Sequence, residues 1–125
     1  MNQISLFTPT KNRPEFVARL LRYYQDIGFT GPVLIGDSSD TDNLEQSKSL
    51  IEEMGQCLDV QHHEMPGLNG VQCVEQLIEL VTTPYAAFVA DDDYLVPSAL
   101  YQCAEFLEEN PDYSAAHGLG FLFSV

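Results

Sequence analysis

Apolar and polar positions along this chain alternate between two periods. Ile4-Ser5-Leu6-Phe7-Thr8 is short and rich in strand formers, and Pro9-Thr10-Lys11-Asn12-Arg13 reads as the loop after it. Pro14 suits a first helical turn. Phe16, Val17, Leu20, Leu21, Tyr24 and Ile27 then recur at spacings of three and four until Gly28 stops the run. Pro32-Val33-Leu34-Ile35-Gly36 predicts a second strand, closed by the polar stretch Asp37 to Asp42. Leu44, Leu50, Ile51 and Met54 mark a second helix, with Gly55 beyond its end. Leu58 to Glu64 is a weaker strand pattern, and Pro66-Gly67-Leu68-Asn69-Gly70 breaks the chain again. Val71, Val74, Leu77, Ile78 and Val81 predict a third helix. The continuous apolar run Tyr85 to Ala90 predicts a fully buried strand of the kind parallel sheets contain, and it leads directly into Asp91-Asp92-Asp93. Pro97-Ser98 opens a fourth helix (Leu100, Ala104, Leu107) that Asn110-Pro111 ends. Tyr113 to Val125 reads as one or two last apolar strands.

Strands alternating with helices at these lengths predict an α/β fold, three-layer α/β/α, around a mainly parallel sheet. The chain is 125 residues long with no repeat or low-complexity segment, which predicts a single domain over residues 1–125. The run Gly118 to Val125 ends on apolar residues, so the sheet is expected to be truncated on its C-terminal side. An apolar terminal strand would also favour a homo-oligomer. No stretch approaches the ~20 apolar residues of a membrane span, and the first residues lack the basic and apolar regions of a signal peptide. A soluble, cytoplasmic chain is expected.

Charge narrows the choice of partners. Nineteen acidic residues against five basic ones leave a net charge of −14, and no Lys or Arg follows Lys48. Such a chain repels nucleic-acid phosphates and anionic lipid. An anionic ligand would have to be met by a recruited cation or by backbone donors. Cys57, Cys73 and Cys103 are odd in number and widely spaced, which points to reduced, buried thiols rather than to disulfides or zinc.

Ligands of open parallel sheets sit at the carboxyl ends of the strands. Three polar clusters fall at such ends here: Thr8 to Arg13, Asp37 to Asp42, and Asp91 to Asp93. Three adjacent carboxylates repel one another, and a hard divalent cation with oxygen ligands would relieve that repulsion. A solvated loop that starts the next helix accounts for the triplet equally well. On an extended backbone Asp91 and Asp93 would share a face while Asp92 points away.

The segment Thr8-Pro9-Thr10-Lys11-Asn12-Arg13-Pro14 resembles the opening signature of family 2-type glycosyltransferases with the nucleotide-diphospho-sugar (GT-A, Rossmann-like) fold. Val33 to Asp40 is similar to that family's second strand and nucleoside-binding acidic loop. Thr83 to Pro97 is similar to the strand bearing its D-x-D motif and the proline that follows. The resemblance covers the nucleotide-binding half of the family. It implies that Thr8, Pro9 and Arg13 line the base and ribose, that Asp37 accepts a hydrogen bond from the base edge, and that Asp91 meets the ribose. Asp92 or Asp93 would hold Mn2+ or Mg2+ bridging the diphosphate of a nucleotide-diphospho-sugar, most commonly a UDP-sugar. A literal D-x-D reading selects Asp91 and Asp93, whereas counting back from Pro97 selects Asp91 and Asp92; the sequence leaves both open. The acceptor is unassigned, and the catalytic base is expected in the family's other half.

Other residues carry weaker signals. His62 and His63 are adjacent, so on a strand they face opposite ways, and structural or surface roles are expected for them as for His117. Tyr94 is the tyrosine closest to the acidic triplet. A haloacid dehalogenase-type phosphatase also uses Asp-x-Asp after a strand but needs a downstream Lys, which is lacking. A receiver domain fails on the same count. The non-enzymatic rival is a glycosyltransferase-like binding or assembly domain without a catalytic half.

Overall fold

The computed structural model describes residues 4–54 and 57–122. Its elements are β1 (Ile4–Thr10), α1 (Pro14–Asp26), β2 (Val33–Asp37), α2 (Thr41–Met54), β3 (Val60–Glu64), α3 (Gly70–Leu80), β4 (Tyr85–Phe88) and α4 (Pro97–Glu109). The chain forms two compact units, residues 1–94 and residues 95–125, with α4 in the second.

The first unit is built on a four-stranded, all-parallel sheet of order β3-β2-β1-β4. Its register explains the burial. β1 and β2 are central and almost wholly buried, while β3 and β4 lie at the edges and are covered less. Crossovers between parallel strands are right-handed. The two steps β1-α1-β2 and β2-α2-β3 run in one direction, so α1 and α2 share a face. The return from β3 through α3 to β4 reverses direction and puts α3 on the other. Phe7 and Leu34 face that helix and join Met65, Cys73 and Leu77 in one buried cluster. The opposite face presents Ile4, Leu6, Val33 and Ile35, and α1 offers Val17, Leu20, Leu21 and Tyr24, all buried.

Local signals set the helix ends. Pro14 occupies the first turn of α1. Gly28, at φ 72°, ends it, with the Phe29 amide donating to the Tyr24 carbonyl in a Schellman-type closure. Asn69 and Gln72 form a reciprocal capping box at the start of α3: the Gln72 amide donates to Asn69 Oδ1 and the Asn69 amide to Gln72 Oε1, both at 2.9 Å. Gly31 is required by close approach, because a Cβ there would stand 2.1 Å from the Ile4 carbonyl oxygen.

Four expectations are corrected. β1 runs through Pro9 to Thr10 rather than stopping at Thr8, because Thr10 still pairs in register with Asp37. β4 is not a fully buried strand: it spans only Tyr85–Phe88, with Ala86 and Phe88 exposed, because it is an edge strand among the described residues. No strand forms between Tyr113 and Leu122, where Leu119, Phe121 and Leu122 are exposed; an apolar run becomes a strand only when a neighbouring strand takes its backbone hydrogen bonds. The expected last strand beyond Leu122 lies outside the described residues. Cys57 is exposed, Cys103 half-buried and Cys73 buried, so the expectation of buried thiols holds fully for Cys73 alone. Among the described residues no helix is long and apolar enough to cross a membrane.

Candidate functional site

The strand order creates a switch point. Successive units step outward from β1 to β3, then the chain returns to add β4 on the other side of β1, so the crossovers α1 and α3 that flank the β1/β4 pair lie on opposite faces of the sheet. Such crevices at the carboxyl ends of strands are where open α/β sheets bind ligands.

Polar side chains gather along that edge. Continuing the pairing of Phe7 with Phe88 by three residues brings Asp91 level with Thr10. The Thr10 hydroxyl donates to Asp91 Oδ2 at 2.8 Å, and Arg13 Nη1 donates to Asp91 Oδ1 at 2.9 Å. Asp91 is buried, while Arg13 remains 41% exposed and also lies 3.6 Å from Asp92 Oδ2 through Nη2. The guanidinium sits over the Phe16 ring, 4.1 Å from its centre. The acidic triplet is a turn rather than an extended segment, with the Asp93 amide donating to the Ala90 carbonyl. The expected alternation of faces therefore does not apply, and Arg13 reaches both Asp91 and Asp92.

One strand over, Thr10 pairs with Asp37, and Asp37 sits diagonally from His62 on the same sheet face because Ile35 pairs with His62. His62 Nε2 lies 2.8 Å from Asp37 Oδ2, and the Ser39 amide donates to Asp37 Oδ1 at 3.0 Å. The Asp37 side chain has no exposed surface, and His62 keeps 10%. Burial would raise the Asp37 pKa, but the hydrogen bonds from His62 and from the side chain and backbone of Ser39 prevail and hold it below the ordinary value. Burial likewise pushes the Cys73 thiol up, against a hydrogen bond from Ser38 and with help from the Asp37 charge, so this cysteine is an unreactive core thiol.

The loops after β1 and β2 are clamped together by Asn12. Its amide donates to Ser39 Oγ at 2.7 Å, and its Oδ1 accepts from the Asp40 amide and Asn43 Nδ2. Asn12 adopts φ 55°, a conformation that asparagine tolerates better than most residues.

The strand ends thus bring Thr10 and Asp37 level, with Asp91 beside Thr10 in the turn after β4 and His62 one diagonal step from Asp37 on β3. Three inter-strand gaps separate the ends of this group by about 14 Å. Thr8 is buried within β1, its hydroxyl near the Pro9 carbonyl, and Pro9 is half-buried. Asp92 and Asp93 are exposed. Their donor chemistry fits a hard cation. Among the described residues no three or more His, Cys, Asp or Glu side chains cluster as a metal site. A cation at Asp92 or Asp93 would therefore take its remaining ligands from phosphate oxygens and water, the usual mode for Mg2+. Thr10 and His62 escape sequence reading: one lies at the end of a strand and the other in an edge strand, and only strand pairing reveals their partners.

No protein-family model matches this chain, and no curated protein does. Solved structures do. The crystal structure of S. aureus TarS 1–349 matches 87% of this chain and 33% of its own length, at 20% identity and a TM-score of 0.72. A second S. aureus TarS crystal structure matches 86% of this chain and 20% of its own length, at 19% identity and 0.68. The mannosyltransferase PcManGT from Pyrobaculum calidifontis, in complex with GDP-Man and Mn2+, matches 84% of this chain and 32% of its own, at 15% identity and 0.67. The fold is therefore the α/β fold of GT-A-type glycosyltransferases. This chain spans a third or less of the length of these neighbours.

The Asp37 pair has a consequence for stability. Its ionised form is favoured in the folded chain, so its contribution is complete above the ordinary carboxylate pKa and is lost as pH falls through the lower folded value, below about pH 4. Urea unfolding between pH 2 and 6 should show wild-type stability falling more steeply below pH 4 than that of Asp37→Asn. Equal slopes would show that Asp37 is not held ionised in the folded state.

Proposed function

We propose that this chain is the nucleotide-binding part of a glycosyltransferase of the GT-A type. It binds a nucleotide-diphospho-sugar, with a UDP-sugar as the first candidate, at the carboxyl edge of its sheet; the sugar is transferred to an acceptor outside the scope of these residues. The observation that carries this reading is Asp91: a buried carboxylate at the β1/β4 switch point, held by Thr10 and Arg13.

In this reading Asp91 accepts from ribose hydroxyls, while Pro9 and Arg13 border the nucleoside. Thr8 supports the strand beneath it, and Asp37 belongs to the base end. Asp92 or Asp93 holds Mn2+ or Mg2+ against the diphosphate. The cation supplies charge neutralisation for the leaving nucleoside diphosphate, which this acidic chain has few cationic side chains to provide. The Mn2+ and GDP-Man of the mannosyltransferase neighbour support both ligand classes.

Calorimetric titration of the purified chain with UDP, with and without Mn2+, tests the proposal. Binding that requires Mn2+ and is lost in the Asp92→Asn/Asp93→Asn double variant is expected. Absence of UDP and GDP binding under both conditions would overturn it in favour of an assembly domain.

A further inference from the structure

We propose that Arg13 is a charge selector at the acidic turn: it resists a bare divalent cation there and admits the cation together with an anionic nucleoside diphosphate. The inference rests on the nucleotide reading above and gives Arg13 a role beyond bordering the nucleoside.

Positive charge is scarce around this turn. Asp91, Asp92 and Asp93 follow one another, and among the described residues Arg13 is the only basic side chain paired with any of them. Lys48 is engaged elsewhere, with Glu45 and Glu64. The two ends of the guanidinium are held differently. Nη1 donates to the buried Asp91 at 2.9 Å, whereas Nη2 lies 3.6 Å from the exposed Asp92, too long for a hydrogen bond and so an ion pair only. The Phe16 ring lies against the guanidinium, 4.1 Å from ring centre to Cζ, and holds it from a third side. A positioned cation therefore stands beside one of the two carboxylates offered to a metal.

The turn does not depend on Arg13 for its shape. Thr10 holds Asp91 from β1, the Asp93 amide donates to the Ala90 carbonyl, and the Tyr94 ring packs on the Tyr23 ring of α1 with 4.8 Å between centres. What Arg13 adds is charge, and that charge acts oppositely on two ligands. A bare divalent cation at Asp92 or Asp93 competes with the guanidinium for Asp92 and stands near a like charge, both unfavourable. A nucleoside diphosphate carries more negative charge than one divalent cation neutralises, so the combined ligand is anionic and Arg13 attracts it. The side chain thus favours the loaded pair over free metal while keeping its contact with Asp91.

Two titrations of the whole chain read these effects separately: Mn2+ alone, followed by loss of the free-ion electron paramagnetic resonance signal, and UDP by calorimetry with Mn2+ in excess. Arg13→Gln is expected to tighten the binding of Mn2+ alone by about three- to tenfold, the scale of one exposed ion pair and one screened like-charge contact. It should leave UDP binding unchanged or weaken it. Opposite responses are the signature, because a variant that merely loosens the turn weakens both. Arg22→Gln removes the same charge from an exposed position whose backbone lies about 14 Å further along α1. That is beyond the screening length, so Mn2+ affinity should shift by less than about twofold. Arg13→Met keeps an apolar stem over Phe16 and is the substitute if Arg13→Gln does not fold, with the same expectation.

A folded Arg13 variant that takes up Mn2+ no more tightly than the wild type overturns the inference. So does an equal gain from Arg22→Gln, or a gain that UDP binding shares. In each case Mn2+-dependent UDP binding by the wild type leaves the nucleotide reading standing. A wild type that binds neither UDP nor GDP, with or without Mn2+, overturns that reading and this inference with it.

Discussion

Asp91→Ala is expected to weaken Mn2+-dependent UDP binding by about 10- to 100-fold, the range for losing hydrogen bonds to a charged acceptor. Asp91 is the one member of the triplet that is buried, and its two oxygens are each held by a donor on the β1 side of the crevice. Removing the carboxylate deletes the proposed ribose acceptor. It also leaves the Thr10 hydroxyl without its partner and frees Arg13 to turn toward solvent. The stability cost should be about 1–3 kcal/mol, most of it from the enclosed Thr10. Because Arg13 is 41% exposed, its released charge is rehydrated and adds little. Asp91→Asn separates the two effects: it keeps an acceptor for Thr10 and so should recover much of the stability, but not the affinity. Calorimetry and urea unfolding on the same preparations read both quantities. If Asp91→Ala binds UDP as tightly as the wild type, the ligand does not meet this carboxylate.

Leu77→Ala carries the largest expected loss of stability, about 2–5 kcal/mol. Leu77 is fully buried at the centre of the cluster formed by Phe7, Leu34, Met65 and Cys73. Beneath it lies Gly36, where an added Cβ would stand 3.0 Å from Leu77 Cδ1, so the sheet offers no side chain at that position to fill the space vacated. For a domain with about 5–15 kcal/mol of total stability, this is a large fraction. Ile78, one residue on, is 54% exposed on the same helix. Ile78→Ala should therefore change stability by no more than about 0.5 kcal/mol. Denaturant unfolding of the two variants side by side tests the face assignment of α3; similar losses from both would overturn it.

The same cluster links stability to the site. Met65 follows β3, and its amide donates to the Asp37 carbonyl, so the buried anchor under α3 also fixes the ends of β2 and β3 where Asp37 and His62 meet.

The alternation of strands and helices was readable along the chain because its causes are local. Pro14 and Pro97 start helices by their fixed φ, Gly28 ends one through a left-handed turn, and apolar spacing marks the buried face of α1 and α3. The acidic triplet and Asp37 were visible as unusual polar residues at strand ends. What sequence could not contain was which strands become neighbours. Thr10 and Asp91 are 81 positions apart, and Asp37 and His62 are 25 apart; each pair exists only because the order β3-β2-β1-β4 and its register set them level. For the same reason the apolar content of Tyr85–Phe88 foretold a strand but not an exposed edge, and that of Tyr113 onward foretold a strand that no neighbour completes among the described residues. Local propensity is a property of a few consecutive residues, whereas strand burial and side-chain partnership are decided by backbone hydrogen bonds between distant segments.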